Sequence, residues 1–178
     1  MKDGSENILL KSSDDHGILR LILNDPDNKN ALSESMIKKL IDAISEASED
    51  NSVKVIVIAS IGDVFCSGHN LKEINEAKKA DDNGESYYLE LFNTCSSMMQ
   101  LIINCSKPVI AEVNGIATAA GCQLVASCDL AIASDSSKFA TPGVNIGLFC
   151  STPMVALSRN VSKKKFYEDA FNRRHGNC

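Results

Sequence analysis

The chain has 178 residues, 44% of them apolar, and a formal net charge of −5. That length suits one domain with a sizeable core and excludes global disorder. The acidic balance argues against nucleic acid or an anionic membrane as the main partner. No run is long and apolar enough to span a bilayer. Seven cysteines are present, at Cys66, Cys95, Cys105, Cys122, Cys128, Cys150 and Cys178. Their number is odd, none form a C-x-x-C pair, and most sit in apolar runs. They read as small buried thiols of a reducing compartment, so neither a disulfide framework nor a metal site is expected. The opening segment Met1-Lys2-Asp3-Gly4-Ser5-Glu6 has the character of neither a signal nor a transit peptide, which points to a cytosolic chain.

Residues 8–11 and 17–23 are short β-like runs around a polar loop, as in a hairpin. Residues 24–28 form a turn cluster. From Ser33 the period becomes helical: Met36, Ile37, Leu40, Ile41, Ile44 and Ala47 share a face, and Ser33 can cap the start. Residues 53–59 are almost continuously apolar and predict a strand buried on both faces, as in a parallel sheet. A short helix is predicted over 72–79. A longer one follows over 85–104, with Leu89, Phe92, Cys95, Met99 and Ile102 on its core stripe. Residues 109–113 predict the next strand, 119–127 a small-residue helix, and 130–133 and 138–140 two further short strands. A loop over 141–147 leads to a helix opening near Thr152. The order is that of an α/β fold with crossovers, repeating a strand-and-helix unit. Residues 1–160 read as the folded core. Residues 161–178 read as a divergent basic tail with a frayed end, carrying Phe166, Tyr167, Ala170 and Phe171.

Two glycine-bearing turns lie about fifty residues apart, at Phe65-Cys66-Ser67-Gly68-His69-Asn70-Leu71-Lys72 and Asn114-Gly115-Ile116-Ala117-Thr118-Ala119-Ala120-Gly121-Cys122-Gln123. Each follows a predicted strand and precedes a predicted helix. Such a junction aims free backbone N–H groups at one point. Two of them together can hold a developing negative charge on an oxygen, the requirement of acyl-group chemistry. The candidate donors are the N–H groups of His69 and Ala120, with Gly68 and Gly121 allowing close approach. Taken singly, each turn suits plain turning and packing better than a site; together, after successive strands, they suit the two equally.

The segments Asn30-Ala31-Leu32-Ser33, Phe65-Cys66-Ser67-Gly68-His69-Asn70-Leu71-Lys72-Glu73 and Lys107-Pro108-Val109-Ile110-Ala111-Glu112-Val113-Asn114-Gly115 resemble the enoyl-CoA hydratase/isomerase (crotonase) superfamily. The resemblance covers residues 8–159. It implies a spiral of ββα turns, here lacking the C-terminal helical segment that completes the pocket and helps form homotrimers. A trimer is therefore doubtful, and exposed apolar surface with aggregation is expected. The resemblance implies a coenzyme A thioester as substrate or ligand, no permanently bound cofactor, and a place in fatty-acid metabolism. The thioester oxygen would lie between the amides of His69 and Ala120. Residues His69, Asn70, Leu71 and Lys72 would line the coenzyme A site, with Lys29 and the backbone of Asn30 and Ala31 near the nucleotide end. A mitochondrial location is implied too, against the cytosolic reading of the N-terminus.

Two departures from the family pattern stand out. Where hydratases carry a glutamate after the second glycine turn, this chain has Gln123, and where they carry another after a proline, it has Gly143. Adding water across a double bond needs one group to take a proton and one to give it. Glutamine does not titrate near neutrality and glycine has no side chain. Two-glutamate hydration is therefore not expected, which leaves catalysis open: an acyl-CoA binder, or an enzyme working through other residues such as His69 or Asp129. RNA binding through the helix after Ser33 is disfavoured, because Glu34, Asp42, Glu46 and Glu49 offset Lys38 and Lys39.

Overall fold

The computed structural model of the chain describes residues 7–147 and 149–162. An antiparallel hairpin opens it, β1 (Leu9–Ser13) against β2 (Ile18–Leu23). Helix α1 (Glu34–Glu49) follows, capped by Ser33, whose Oγ accepts from the Met36 N–H at 3.2 Å. Its buried face carries Met36, Ile37, Leu40, Ala43, Ile44 and Ala47, the stripe expected from the sequence.

The chain then runs through three ββα turns. The first is β3 (Val55–Ser60), β4 (Val64–Cys66), α2 (Leu71–Ala77) and α3 (Glu85–Ile103). The second is β5 (Val109–Val113), β6 (Ile116–Thr118) and α4 (Ala120–Ser127). The third is β7 (Leu130–Ala133), β8 (Lys138–Ala140), a 3-10 turn over Pro142–Ile146 and α5 (Ser151–Asn160). Successive turns stack, so β3, β5 and β7 extend the hairpin into one sheet of order β1-β2-β3-β5-β7, while β4, β6 and β8 form a second, parallel sheet. This is the α/β spiral expected from the sequence, with β3 buried on both faces at Ile56, Val57, Ile58 and Ala59.

Three expectations need correction. Strands β4 and β6 lie where the sequence presents turns. Each is three residues long, too short to show an alternating pattern. Leu89 and Phe92 do not face the core. They are 65% and 46% exposed, and α3 buries Leu91, Cys95, Met98, Met99 and Ile102 instead. Periodicity offers both stripes, and packing of α3 against α1 and α4 selects the second. The loop after β8 contains a 3-10 turn. The expected tail lies outside the described residues from position 163 onward.

Candidate functional site

The stacked turns bring the two glycine segments into contact. Strand β4 pairs with β6, with Cys66 opposite Ala117. Gly68 has φ +89°, and a Cβ added there would lie 3.0 Å from Ala119 Cβ and 3.1 Å from the Ala120 nitrogen. Thr118 Oγ1 donates to the Ser67 carbonyl at 3.1 Å, closing the gap from the side. Segments fifty residues apart thus meet backbone to backbone, which only glycine at position 68 allows.

The second turn is conformationally unusual. Ala119, just before α4, has φ 52° and ψ −121°, a region that costs a non-glycine residue about 1–3 kcal/mol. It is held from both sides: its N–H donates to the Ala140 carbonyl at 2.9 Å, and its carbonyl accepts from the Gln123 N–H at 3.2 Å. The twist leaves Ala120 at the head of α4. Among the described residues, neither the His69 nor the Ala120 amide donates to an acceptor of the chain. No sequence signal marks Ala119, because alanine ordinarily avoids this conformation.

Three buried side-chain polar atoms among the described residues have no hydrogen-bond partner, and two of them belong here: His69 Nδ1 and Gln123 Oε1. The third is Ser60 Oγ. Leaving such an atom unpaired costs about 1–3 kcal/mol, so each asks for a ligand or water. Gln123 is only 8% exposed and stands three residues into α4 from Ala120. The His69 ring is half-buried and meets Phe92 edge-on, with centroids 5.3 Å apart. Burial lowers the His69 pKa from its usual 6.5, with a smaller opposing contribution from the Leu32 backbone. The imidazole is therefore neutral at pH 7.

The expected ligand-binding segments also converge. Leu32 N–H donates to the Gly68 carbonyl at 2.8 Å, and Ser67 N–H to the Lys29 carbonyl at 3.2 Å, so residues 29–32 run beside 67–69. Lys29 and Asn30 have φ of 59° and 50°. Asn30 is fully buried: Oδ1 accepts from the Asp25 N–H at 2.8 Å, and Nδ2 donates to the carbonyls of Ile61 and Val64 at 2.8 and 2.7 Å. That side-chain role was not foreseen from sequence. Asn70 caps α2, accepting from the Lys72 N–H at 3.0 Å, and Lys72 Nζ donates to Asn28 Oδ1 at 3.0 Å. Leu71 is exposed, and Ala31 is buried beneath the segment.

Gly143 lies in the 3-10 turn just beyond Ala140, which anchors Ala119. The two carboxylates in or next to strands β5 and β7 are structurally engaged. Asp129 Oδ2 accepts from the Val109 N–H at 2.8 Å, and Glu112 pairs with Arg20 at 2.6 Å. The Cys66 thiol, beneath the first turn, is pushed up to about 12 by burial and keeps its proton. Among the described residues, no group of three or more His, Cys, Asp or Glu could hold a metal, and no helix is long and apolar enough to cross a membrane. A separate cavity of about 260 Å³ lies on the other flank of α4, lined by Val125, Leu130, Phe139 and Leu157 among others, and does not include the two amides.

The enoyl-CoA hydratase/isomerase family model matches residues 13–172. The chain belongs to the enoyl-CoA hydratase/isomerase family. Among curated relatives it is 55% identical, over 157 residues, to enoyl-CoA hydratase domain-containing protein 3, mitochondrial, of Xenopus laevis, covering 88% of this chain and 52% of the relative. The human protein of the same name is 54% identical over 155 residues, covering 87% and 50% respectively. The crystal structure of human enoyl coenzyme A hydratase domain-containing protein 3 superposes with a TM-score of 0.88 at 48% identity, covering 97% of this chain and 66% of that one. This family member therefore spans about half the length of the curated relatives it matches.

Proposed function

We propose that this chain binds an acyl-coenzyme A thioester and holds its carbonyl oxygen between the amides of His69 and Ala120. One observation supports the reading: a Cβ added at Gly68 would lie 3.1 Å from the Ala120 nitrogen, and neither the His69 nor the Ala120 amide donates to an acceptor among the described residues. Charge on a thioester oxygen grows as the carbon beside it takes on enolate character. Fixed backbone donors, one at the head of a helix, stabilise that charge more than they stabilise the ground state. Residues 29–31 and 68–72 supply the wall for the coenzyme A portion, with Lys72 at hand for a phosphate once it leaves Asn28. Membership of a family named for a coenzyme A thioester supports the ligand class. The relatives' names support a mitochondrial setting within acyl-thioester metabolism.

Gln123 and Gly143 supply no titrating group, so two-carboxylate hydration is absent from this reading. Calorimetric titration with butyryl-CoA tests it. Saturable binding that free coenzyme A competes away is the expected result. Absence of heat, with no competition, removes the proposal.

A further inference from the structure

The apolar cavity on the far flank of α4 is separate from the paired amides, and what fills it is independent of what binds there. We propose that the C-terminal segment of this same chain, residues 163–178, folds back over that cavity and seats in it the apolar face carried by Phe166, Tyr167, Ala170 and Phe171. The cavity measures about 260 Å³ and is walled by Val125 of α4, Leu130 of β7, Phe139 of β8 and Leu157 of α5. Val125 belongs to the core and Phe139 and Leu157 pack against it, yet Leu130 on the same wall is 60% exposed. An apolar side chain entering such a recess releases water favourably. The volume lies under the about 300 Å³ at which small-molecule pockets begin, so the recess suits aromatic side chains better than a whole ligand.

The described residues end at the rim of this cavity. Asn160 and Val161 both line it. Asn160 Nδ2 donates to the Ala126 carbonyl at 2.9 Å, and the Val161 N–H donates to the Leu157 carbonyl at 2.9 Å, so the end of α5 is pinned against α4. Phe166 follows Val161 by five residues, a reach of at most about 18 Å. Closing so short a connection costs little chain entropy.

The sequence of the segment fits the recess. Phe166, Tyr167, Ala170 and Phe171 recur at helical spacing on one face, and Lys165, Glu168, Asp169 and Asn172 fall on the opposite one. A helix this short is marginal alone in water, so its apolar face needs a surface to cover. Charge agrees as well. Asp129 is the one charged residue in the lining, and the returning chain brings Lys163, Lys164 and Lys165 past that wall. Ile132 is not part of the lining, so this packing leaves the far half of β7 open.

NMR of the intact, methyl-labelled protein tests this at a concentration where it sediments as a monomer. Nuclear Overhauser contacts are expected from the methyl groups of Leu130 and Leu157 to ring protons of Phe166, Tyr167 or Phe171. In a mixture of labelled and unlabelled chains, isotope filtering should remove them, because cavity and segment belong to one molecule. The full-length double variant Phe166→Ser, Phe171→Ser should melt about 5 °C or more below the native chain. Contacts that persist through the filter would seat a second copy in the cavity and overturn the proposal. So would a native chain that lacks these contacts, or a double variant that melts as the native chain does.

Discussion

A Cβ on Gly121 would stand 2.2 Å from the carbonyl oxygen of Cys66 and 2.8 Å from its carbonyl carbon. Helix α4 therefore lies directly on strand β4, main chain against main chain. Neither partner is the tip of a flexible side chain, so relief requires moving the helix or the strand. Gly121→Ala should cost about 2 kcal/mol or more in urea unfolding. It should also weaken butyryl-CoA binding, because the head of α4 carries the Ala120 amide. A variant as stable as the native chain would show that the two elements are not so closely seated.

Asn30 ties the turn after β2 to the chain on both sides of β4. Its side chain satisfies the Asp25 amide and the carbonyls of Ile61 and Val64 while wholly buried. Asn30→Ala strands those groups and places alanine at φ 50°. A loss of about 2–4 kcal/mol is expected in denaturant unfolding. A loss below about 0.5 kcal/mol would contradict this role.

His69 should make stability depend on pH. Its folded pKa lies below the usual 6.5, with burial as the main cause. The unfolded chain then binds more protons than the folded one between those two values, so stability rises with pH there. The contribution is at its best above about 6.5 and declines as pH falls toward the lower folded value. Thermal melts at pH 7.5 and 5.5 should therefore show a larger loss for the native chain than for His69→Gln. Equal losses would indicate that the ring titrates as it does in water.

Strand β7 ends the larger sheet, and all four of its residues are exposed, Leu130 at 60% and Ile132 at 64%. It carries no charge and no proline, and the apolar cavity behind it adjoins Leu130. Such an edge invites pairing with other chains. The 178-residue chain should associate as its concentration rises in analytical ultracentrifugation, and Ile132→Lys should shift it toward monomer. A native chain that stays monomeric at high concentration would contradict this.

Much of the fold was legible because long elements repeat their signals. Helix α1 showed its buried face from Met36 to Ala47, and the apolar run of β3 announced a doubly covered strand. The two glycine turns were legible because glycine has few other reasons to recur at strand ends. What stayed hidden depends on distant contacts. Strands β4 and β6 exist by pairing with each other, the α3 stripe was chosen by neighbouring helices, and Ala119 is strained by Ala140 from another turn. Nor could the sequence tell that Asp129 and Glu112 are engaged, or that His69 Nδ1 is buried without a partner.

The paired amides are most directly tested by amide NMR of the nitrogen-15-labelled protein during titration with butyryl-CoA. The account predicts saturating downfield shifts of the His69 and Ala120 amide protons at one common ligand concentration, as each gains an acceptor. Shifts confined to other residues, with these two signals unmoved at saturation, would contradict it.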